Sequence, residues 1–246
     1  MIFFCFSSKD RHIIVESIFF HITNYAIPVW YDRHKMLLGD ERDYKNFVEG
    51  VNQNKYAVII LSRNTIESVC AREEIDLIYE RYVQGQMQVF PIFYNIRAAD
   101  LPDEFTWMTK LVYKELNQDT DSLSTCNHII CKVLFDEISK YKIKSINSFL
   151  HQYGENPNYH YLTHLIKSYC SISDDNHDAQ IALLYSACIY IINFNNLQNT
   201  PKFYYEGVER LFSETRLHLP IDLRETLILE RLCLLLINSS IFGYLI

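Results

Sequence analysis

Residues 56–83 read YAVIILSRNTIESVCAREEIDLIYERYV and contain two elements of a parallel α/β sheet. The first six are apolar, mostly branched side chains without polar alternation, which is typical of a strand buried on both faces. From residue 68 the apolar side chains recur at helical spacing, so a helix is predicted over 68–83. A buried strand followed closely by a helix is the repeating unit of a doubly wound fold.

The same alternation of elements extends to both sides of this stretch. Besides 56–61, strands are predicted at 2–6, 27–31 and 89–94, with a short fifth strand at 110–113. Helices are predicted between and after them, over 9–24, 42–52 and 124–141. Strands that alternate with helices indicate a parallel sheet covered on both faces, and so an α/β domain with a doubly wound parallel sheet.

The character of the chain changes near residue 145. Strand-like runs vanish, and apolar residues follow at spacings of three and four. Four helices are predicted, over 159–171, 178–194, 202–217 and 222–244. We therefore predict two domains, an α/β domain over 1–142 and an all-α helical domain over 143–246.

Composition narrows the functional classes. A formal charge of -7 and a pI near 5.7 offer no basic surface for a polyanion, so direct binding of nucleic acid is not expected. The seven cysteines are an odd number, mostly within apolar runs, which favours a reduced, cytoplasmic location. The apolar run 232–246 has 15 residues, against the ~20 needed to span a bilayer, so a buried helix and no membrane contact are predicted.

Other familiar sites find little support. The six glycines form neither a G-x-G fingerprint nor a phosphate-binding loop. Cys126, His128 and Cys131 supply three zinc-type ligands without a fourth nearby, so no metal site is predicted.

Polar residues follow three predicted strands, at the edge of the sheet where ligands bind in such folds. Each group also has a structural explanation. The polar turn after the first strand could cap a helix, the Asp after the second could order its own loop, and the Glu in helix 68–83 could interact with the helix dipole. The three groups are Ser7-Ser8-Lys9-Asp10, then Trp30-Tyr31-Asp32 with Lys35, and Ser68 through Cys70 to Glu74.

In this order the motifs resemble the TIR (Toll/interleukin-1 receptor) family over about residues 1–140. The family pattern has aromatic-Ser-x-x-Asp, Trp-x-Asp, Leu-x-x-Gly-Asp, a strand ending in Leu-Ser, and Ser-x-Trp-x-x-x-Glu. This chain has Phe6-Ser7-Ser8-Lys9-Asp10, Trp30-Tyr31-Asp32, Leu37-Leu38-Gly39-Asp40, Leu61-Ser62 and the segment 68–74. The resemblance implies a flavodoxin-like sheet.

The resemblance also implies a reaction. Some TIR proteins, including bacterial ones of anti-phage defence, cleave NAD to nicotinamide and ADP-ribose or a cyclic isomer, using a glutamate four residues after a pocket tryptophan. Counting from Cys70, which occupies the tryptophan position, selects Glu74. The alternate register, as in plant members, selects Glu73. Apolar Ile75 and Ile78 match the family helix and favour Glu74.

By the same resemblance, further residues bind substrate, and NAD is the substrate rather than a cofactor. Phe6 and Trp30 shape the pocket with Cys70, while hydroxyl, carboxylate and amine groups bind ribose or phosphate oxygens. The polar members of this set are Ser7, Ser8, Asp10, Asp32 and Lys35.

A second interpretation remains open, that of a non-catalytic adaptor. Such TIR domains join one another through the loop 33–40, which contains Leu37, Leu38, Gly39 and Asp40. Glu74 favours the enzyme, whereas loss of the pocket tryptophan favours the adaptor. Both can hold, because many TIR enzymes complete their site by self-association. The helical domain would then be a sensor or oligomerisation module that responds to a phage-derived or nucleotide activator.

Overall fold

A computed structural model describes residues 1–25, 27–120, 122–141, 143–194 and 223–241. The chain divides into two compact units, Met1–Ile129 and Ile130–Ile246. This division falls within a helix, Leu123–Ile138, upstream of the boundary expected after residue 142. That domain boundary remains a prediction.

The first unit contains a five-stranded parallel sheet with the order β2-β1-β3-β4-β5. The first strand, β1, lies inside the sheet, and β2 pairs with it at one edge. The chain then crosses to the other side of β1, where β3, β4 and β5 follow in order. This is the doubly wound, flavodoxin-like topology that the sequence predicts. The strands are β1 Ile2–Cys5, β2 Val29–Trp30, β3 Tyr56–Leu61, β4 Gln88–Tyr94 and β5 Lys114–Leu116.

The centre of the sheet is formed by β1 and β3. All six residues of β3 are buried, as expected for a strand covered on both faces. Ile2 lies opposite Val29 on one side and Tyr56 on the other, so the three strands start level. Their carboxyl ends therefore open on one edge of the sheet.

The predicted position of the fifth strand, 110–113, is four residues too early. The strand lies at Lys114–Leu116, where Lys114 pairs with Ile92 of β4. The preceding segment Asp103–Lys110 forms a 3-10 helix whose Phe105 and Met108 are buried. Burial of these two side chains favours the tight helix and moves the strand downstream.

Helices cover the sheet. The predicted helix 9–24 is a 3-10 turn at Ser8–Asp10, a π-helix at Arg11–Val15 and then α1. The predicted helix 42–52 is a π-helix at Tyr44–Asn52, which we call the wide helix. The α-helices of this part are α1 Glu16–Asn24, α2 Asp32–Lys35, α3 Arg63–Glu67, α4 Val69–Val83 and α5 Leu123–Ile138.

One glycine sets how closely the wide helix approaches the sheet. A Cβ at Gly50 would lie 2.7 Å from Cε2 of Phe3, well inside van der Waals contact. The helix can pack directly on β1 only because residue 50 has no side chain. Its carboxyl end is thereby held in place.

The second unit is helical where it is described, as predicted. Its helices are α6 Ile146–Tyr153, α7 His160–Ser171, α8 His177–Phe194 and α9 Leu223–Ser240, with a 3-10 turn at Pro157–Tyr159. The sequence did not predict α6, and α9 ends before residue 244. The helix predicted over 202–217 lies outside the described residues. Among the residues that are described, no helix combines the length and apolarity needed to cross a membrane.

Candidate functional site

A cleft of about 190 Å³ lies at the carboxyl ends of the central strands. Between β1 and β3 the order in which strands are added to the sheet reverses, and the carboxyl ends of the strands at such a point are the usual ligand position. Six of the predicted site residues line it, namely Phe6, Ser8, Trp30, Asp32, Cys70 and Glu74. Six others were not predicted, namely Phe4, Met36, Arg42, Asn46, Ser68 and Ala71.

Three predicted substrate-binding residues do not line the cleft. Ser7 is buried, and its Oγ accepts a hydrogen bond from the Lys9 backbone at 3.4 Å, capping the turn. Asp10 is also buried, and its carboxylate accepts from Ser62 Oγ at 2.6 Å. Lys35 is exposed at the end of α2.

Asp10 connects the loops after β1 and β3. Besides Ser62, its carboxylate accepts a hydrogen bond from Asn64 Nδ2 at 2.7 Å. Both donors follow β3, whereas Asp10 follows β1. The geometry therefore favours a role in holding these two loops together.

Glu74 is a buried carboxylate in the wall of the cleft. It lies in the second turn of α4, after the N-cap Ser68, whose Oγ accepts from the backbone N–H of Ala71. Its side chain is buried, with the residue only 7% exposed. Burial disfavours the charged form and raises the pKa of Glu74 to about 8. The helix-dipole explanation fits poorly, because that effect falls off beyond the first turn.

Its neighbour Glu73 lies differently. Glu73 is exposed and does not line the cleft. Consecutive helical residues point about 100° apart, so only one of the two carboxylates can face the sheet edge. The geometry favours Glu74 as the site carboxylate.

Two thiols accompany Glu74. Cys70, one helical turn earlier, donates from Sγ to Glu74 Oε1 at 3.5 Å. Burial, followed by the charge of Glu74, raises the pKa of Cys70 to about 11. Burial likewise raises the pKa of Cys5 well above its ordinary value. Both side chains are therefore neutral thiols near pH 7 rather than nucleophilic thiolates.

Asp32 lines the cleft, but both of its carboxylate oxygens accept hydrogen bonds from Arg11. Arg11 binds it in a bidentate pair, with nitrogen–oxygen distances of 2.7 and 2.6 Å. The guanidinium also lies over the rings of Phe6 and Tyr31, 5.0 and 5.2 Å from their centroids. The hydrogen bonds to Asp32 are the main cause of a raised pKa of Arg11. Asp32 thus orders the wall of the cleft, the structural role considered from the sequence.

We expect Asp32→Asn to lower the free energy of unfolding by roughly 1–3 kcal/mol, because it leaves a partly buried guanidinium without its carboxylate. The Arg11 and Asp32 side chains are 14% and 32% exposed. Asp43→Asn is the matched control, because its pair with Arg42 is exposed on both sides and should contribute less than about 1 kcal/mol. Chemical denaturation measures both, and equal losses would contradict the ordering role.

The loop 37–40 presents apolar side chains to solvent. Leu37 is 77% exposed and Leu38 is fully exposed. A reciprocal pair of hydrogen bonds closes the turn: Leu37 N–H donates to the Asp40 carboxylate at 2.8 Å, and Asp40 N–H donates to the Leu37 carbonyl at 3.0 Å. Gly39 has φ +99°, which favours glycine. The loop is therefore an ordered turn with two exposed leucines.

Comparison with known proteins agrees with this architecture. A family model described as TIR domain matches residues 2–129. Similar curated proteins include NAD(+) hydrolase TcpA of Theionarchaea archaeon (strain DG-70-1), 23% identical over 100 residues, or 41% of this chain and 30% of that protein. Another is 2' cyclic ADP-D-ribose synthase AbTIR of Acinetobacter baumannii, 24% identical over 135 residues, or 55% of this chain and 49% of that protein.

A third relative is NAD(+) hydrolase TcpC of Escherichia coli O6:H1, 24% identical over 100 residues, or 40% of this chain and 32% of that protein. The chain thus spans about half or less of the length of these relatives. The family match over residues 2–129 covers the sheet and the cleft at its edge.

Proposed function

Because this chain belongs to the TIR domain family, we propose that it is an enzyme that cleaves the nicotinamide–ribose bond of NAD, with Glu74 as its catalytic carboxylate. The observation that carries the proposal is the buried Glu74 in a cleft walled by Phe6 and Trp30. The names of the relatives, NAD(+) hydrolases and cyclic ADP-ribose synthases, support the same reaction.

The chemistry requires little more than a well-placed anion. When the bond between the ribose C1′ and the pyridinium nitrogen breaks, its electron pair goes to nitrogen and nicotinamide leaves as a neutral molecule. Positive charge then develops on the ribose, and the ionised Glu74 stabilises it, as carboxylates do in glycosidases. Electrostatic stabilisation in a dry site is usually the largest catalytic contribution.

The fate of the ribosyl cation determines the product. Addition of water, with loss of a proton, gives ADP-ribose. Attack by a nucleophile of the same molecule gives a cyclic ADP-ribose, which contains one water molecule less than ADP-ribose.

Other cleft residues would hold the substrate. Phe6 and Trp30 supply apolar walls for the nicotinamide ribose, and the exposed Ser8 supplies a hydroxyl. Arg42 provides a cation at the cleft where Lys35 was expected to do so. Its guanidinium is half exposed and suits the diphosphate of NAD.

The proposal extends to the biological setting. The seven cysteines, an odd number, favour a reducing compartment such as the cytoplasm. We place the reaction in bacterial anti-phage immunity, with residues 143–246 as the helical sensor or oligomerisation domain. A phage-derived or nucleotide activator would act on that domain.

Purified protein incubated with millimolar NAD under crowding tests the reaction directly. We expect nicotinamide to appear in a 1:1 ratio with ADP-ribose or a cyclic isomer, resolved by chromatography. Intact NAD, in the presence of self-association, would instead favour the adaptor interpretation. Two observations support the adaptor interpretation. Leu37 and Leu38 are exposed, and position 70 carries a cysteine instead of an aromatic side chain.

Self-association through the loop 37–40 makes a separate prediction. We expect Leu38→Glu to decrease both assembly and NAD cleavage by at least about tenfold. The apolar side chain of Leu38 is fully exposed, and a charge in its place would disfavour burial against a second copy. Light scattering after size exclusion measures assembly. Val112→Glu is the control, since Val112 is 91% exposed but lies outside this loop. Unchanged assembly in Leu38→Glu, or an equal loss in both variants, would remove the loop from the interface.

A further inference from the structure

Asn46 is a buried polar residue in the wall of the cleft. It lies on the wide helix and is only 5% exposed, although it carries an amide with both donor and acceptor atoms. It lines the same cleft as Cys70 and Glu74. π-helical segments are rare and frequently occur at functional sites.

The nitrogen of the Asn46 amide has a hydrogen-bond partner among the described residues, whereas the oxygen has none. Nδ2 donates to Cys70 Sγ at 3.6 Å, and that thiol donates to Glu74 Oε1 at 3.5 Å. Asn46 is thus one thiol away from the candidate catalytic carboxylate. Within the described part of the chain, no donor lies within hydrogen-bonding distance of Asn46 Oδ1. Leaving a buried acceptor unsatisfied costs free energy, and this cost suggests a use.

We propose that Asn46 is a substrate-binding residue whose Oδ1 accepts a hydrogen bond from a donor of the ligand beside Glu74. This rests on the proposed function, in which the reacting C1′ lies against Glu74. Two donors flank that carbon in NAD, the ribose 2′-hydroxyl and the carboxamide N–H of nicotinamide. The last torsion of an Asn side chain is soft, so rotation of the amide can present Oδ1 to the ligand.

Asn54 offers an internal comparison. Its Oδ1 also lacks a donor among the described residues, and it is also buried. However, its Nδ2 donates to the Gly50 carbonyl at the end of the wide helix, and it does not line the cleft. Asn54 is therefore explained by the local backbone, whereas the weak thiol contact of Asn46 leaves its position unexplained without a ligand.

The test uses Asn46→Leu in the full chain, with Asn54→Leu as the matched control. Leucine has a similar size and removes both polar atoms. We expect Asn46→Leu to lower kcat/KM for NAD at least about tenfold with no loss of Tm, because the unsatisfied acceptor is gone. We expect Asn54→Leu to lower Tm and to leave kcat/KM within about twofold, because its hydrogen bond to the Gly50 carbonyl supports only the helix end.

Two NAD analogues identify the donor. One carries an acetyl group in place of the carboxamide, and the other lacks the 2′-hydroxyl of the nicotinamide ribose. The analogue that loses Asn46's partner should be cleaved equally by the wild type and Asn46→Leu, whereas the other should retain the difference. Comparing the wild type and Asn46→Leu on the same analogue cancels the intrinsic reactivity of that analogue.

The outcomes separate this inference from the reaction itself. If Asn46→Leu cleaves NAD like the wild type while Glu74→Gln is inactive, the enzyme stands and Asn46 is not a binding residue. If the wild type is inactive, calorimetry with NAD decides. Equal affinities of the wild type and Asn46→Leu would overturn the role of Asn46, and a weaker variant would support it. No binding to the wild type would overturn both proposals.

Discussion

Glu74→Gln is expected to reduce nicotinamide release by roughly 10²–10³-fold or more, whereas Glu73→Gln should leave it within about twofold. The amide keeps the size of the side chain but cannot carry the negative charge that stabilises the ribosyl cation. Glu74 is buried in the cleft wall, and Glu73 is exposed outside it. Chromatography of NAD reactions measures both variants beside the wild type.

Thermal unfolding provides the control for this pair. Gln at position 74 removes a carboxylate that burial disfavours, so the variant should be at least as stable as the wild type at pH 8. A stable but inactive Glu74→Gln would locate the chemistry. Comparable activity of Glu74→Gln and wild type, or selective loss in Glu73→Gln, would contradict the assignment.

The pH dependence of kcat/KM should follow ionisation of Glu74. Its pKa is raised to about 8 by burial, and only the carboxylate stabilises the developing cation. Below pH 8 we therefore expect kcat/KM to fall about tenfold per pH unit, and above it to level off. Initial rates at low NAD concentration from pH 6 to 9 measure the profile, and Glu74→Gln reports the uncatalysed background. A flat profile between pH 6 and 8 would contradict it.

The raised pKa of Glu74 also predicts how the stability of the folded protein depends on pH. In the unfolded state Glu74 has an ordinary pKa of 4.5 and loses its proton at lower pH than in the folded state, where the pKa is about 8. This contribution is therefore complete below pH 4.5 and is lost as pH rises through about 8. The Tm of the wild type should fall relative to that of Glu74→Gln over this interval. Parallel Tm curves would mean that Glu74 titrates normally.

Much of the fold could be predicted from local pattern. The continuous apolar run Tyr56–Leu61 has the same bounds in the structure, because a central strand is buried on both faces along its whole length. Edge strands are harder. In β5 only Leu116 is buried, so its short sequence lacks the apolar run that marks a strand.

The candidate site was less predictable, because part of it lies on a helix without α geometry. Phe6 and Trp30 were expected from the family resemblance, and Glu74 from the resemblance together with helix phase. Arg42 is the first residue of the helix predicted over 42–52, and Asn46 lies where that helix departs from the α period. A pattern search at 3.6 residues per turn misplaces the face of such a helix. Neither residue had a signal that single-sequence periodicity could reveal.

The wide helix has a consequence for how this cleft could diversify. Gly50 holds its carboxyl end against Phe3, so a change in length must be absorbed upstream. Deleting one residue between Asn46 and Gly50 would move Asn46 one position along the helix, a rotation of about 100° around the helix axis. A different side chain would then reach the cleft, while the sheet beneath stayed as it is. Single-residue insertions and deletions here would be an economical route to new ligand preferences, distinct from point mutation of the catalytic helix.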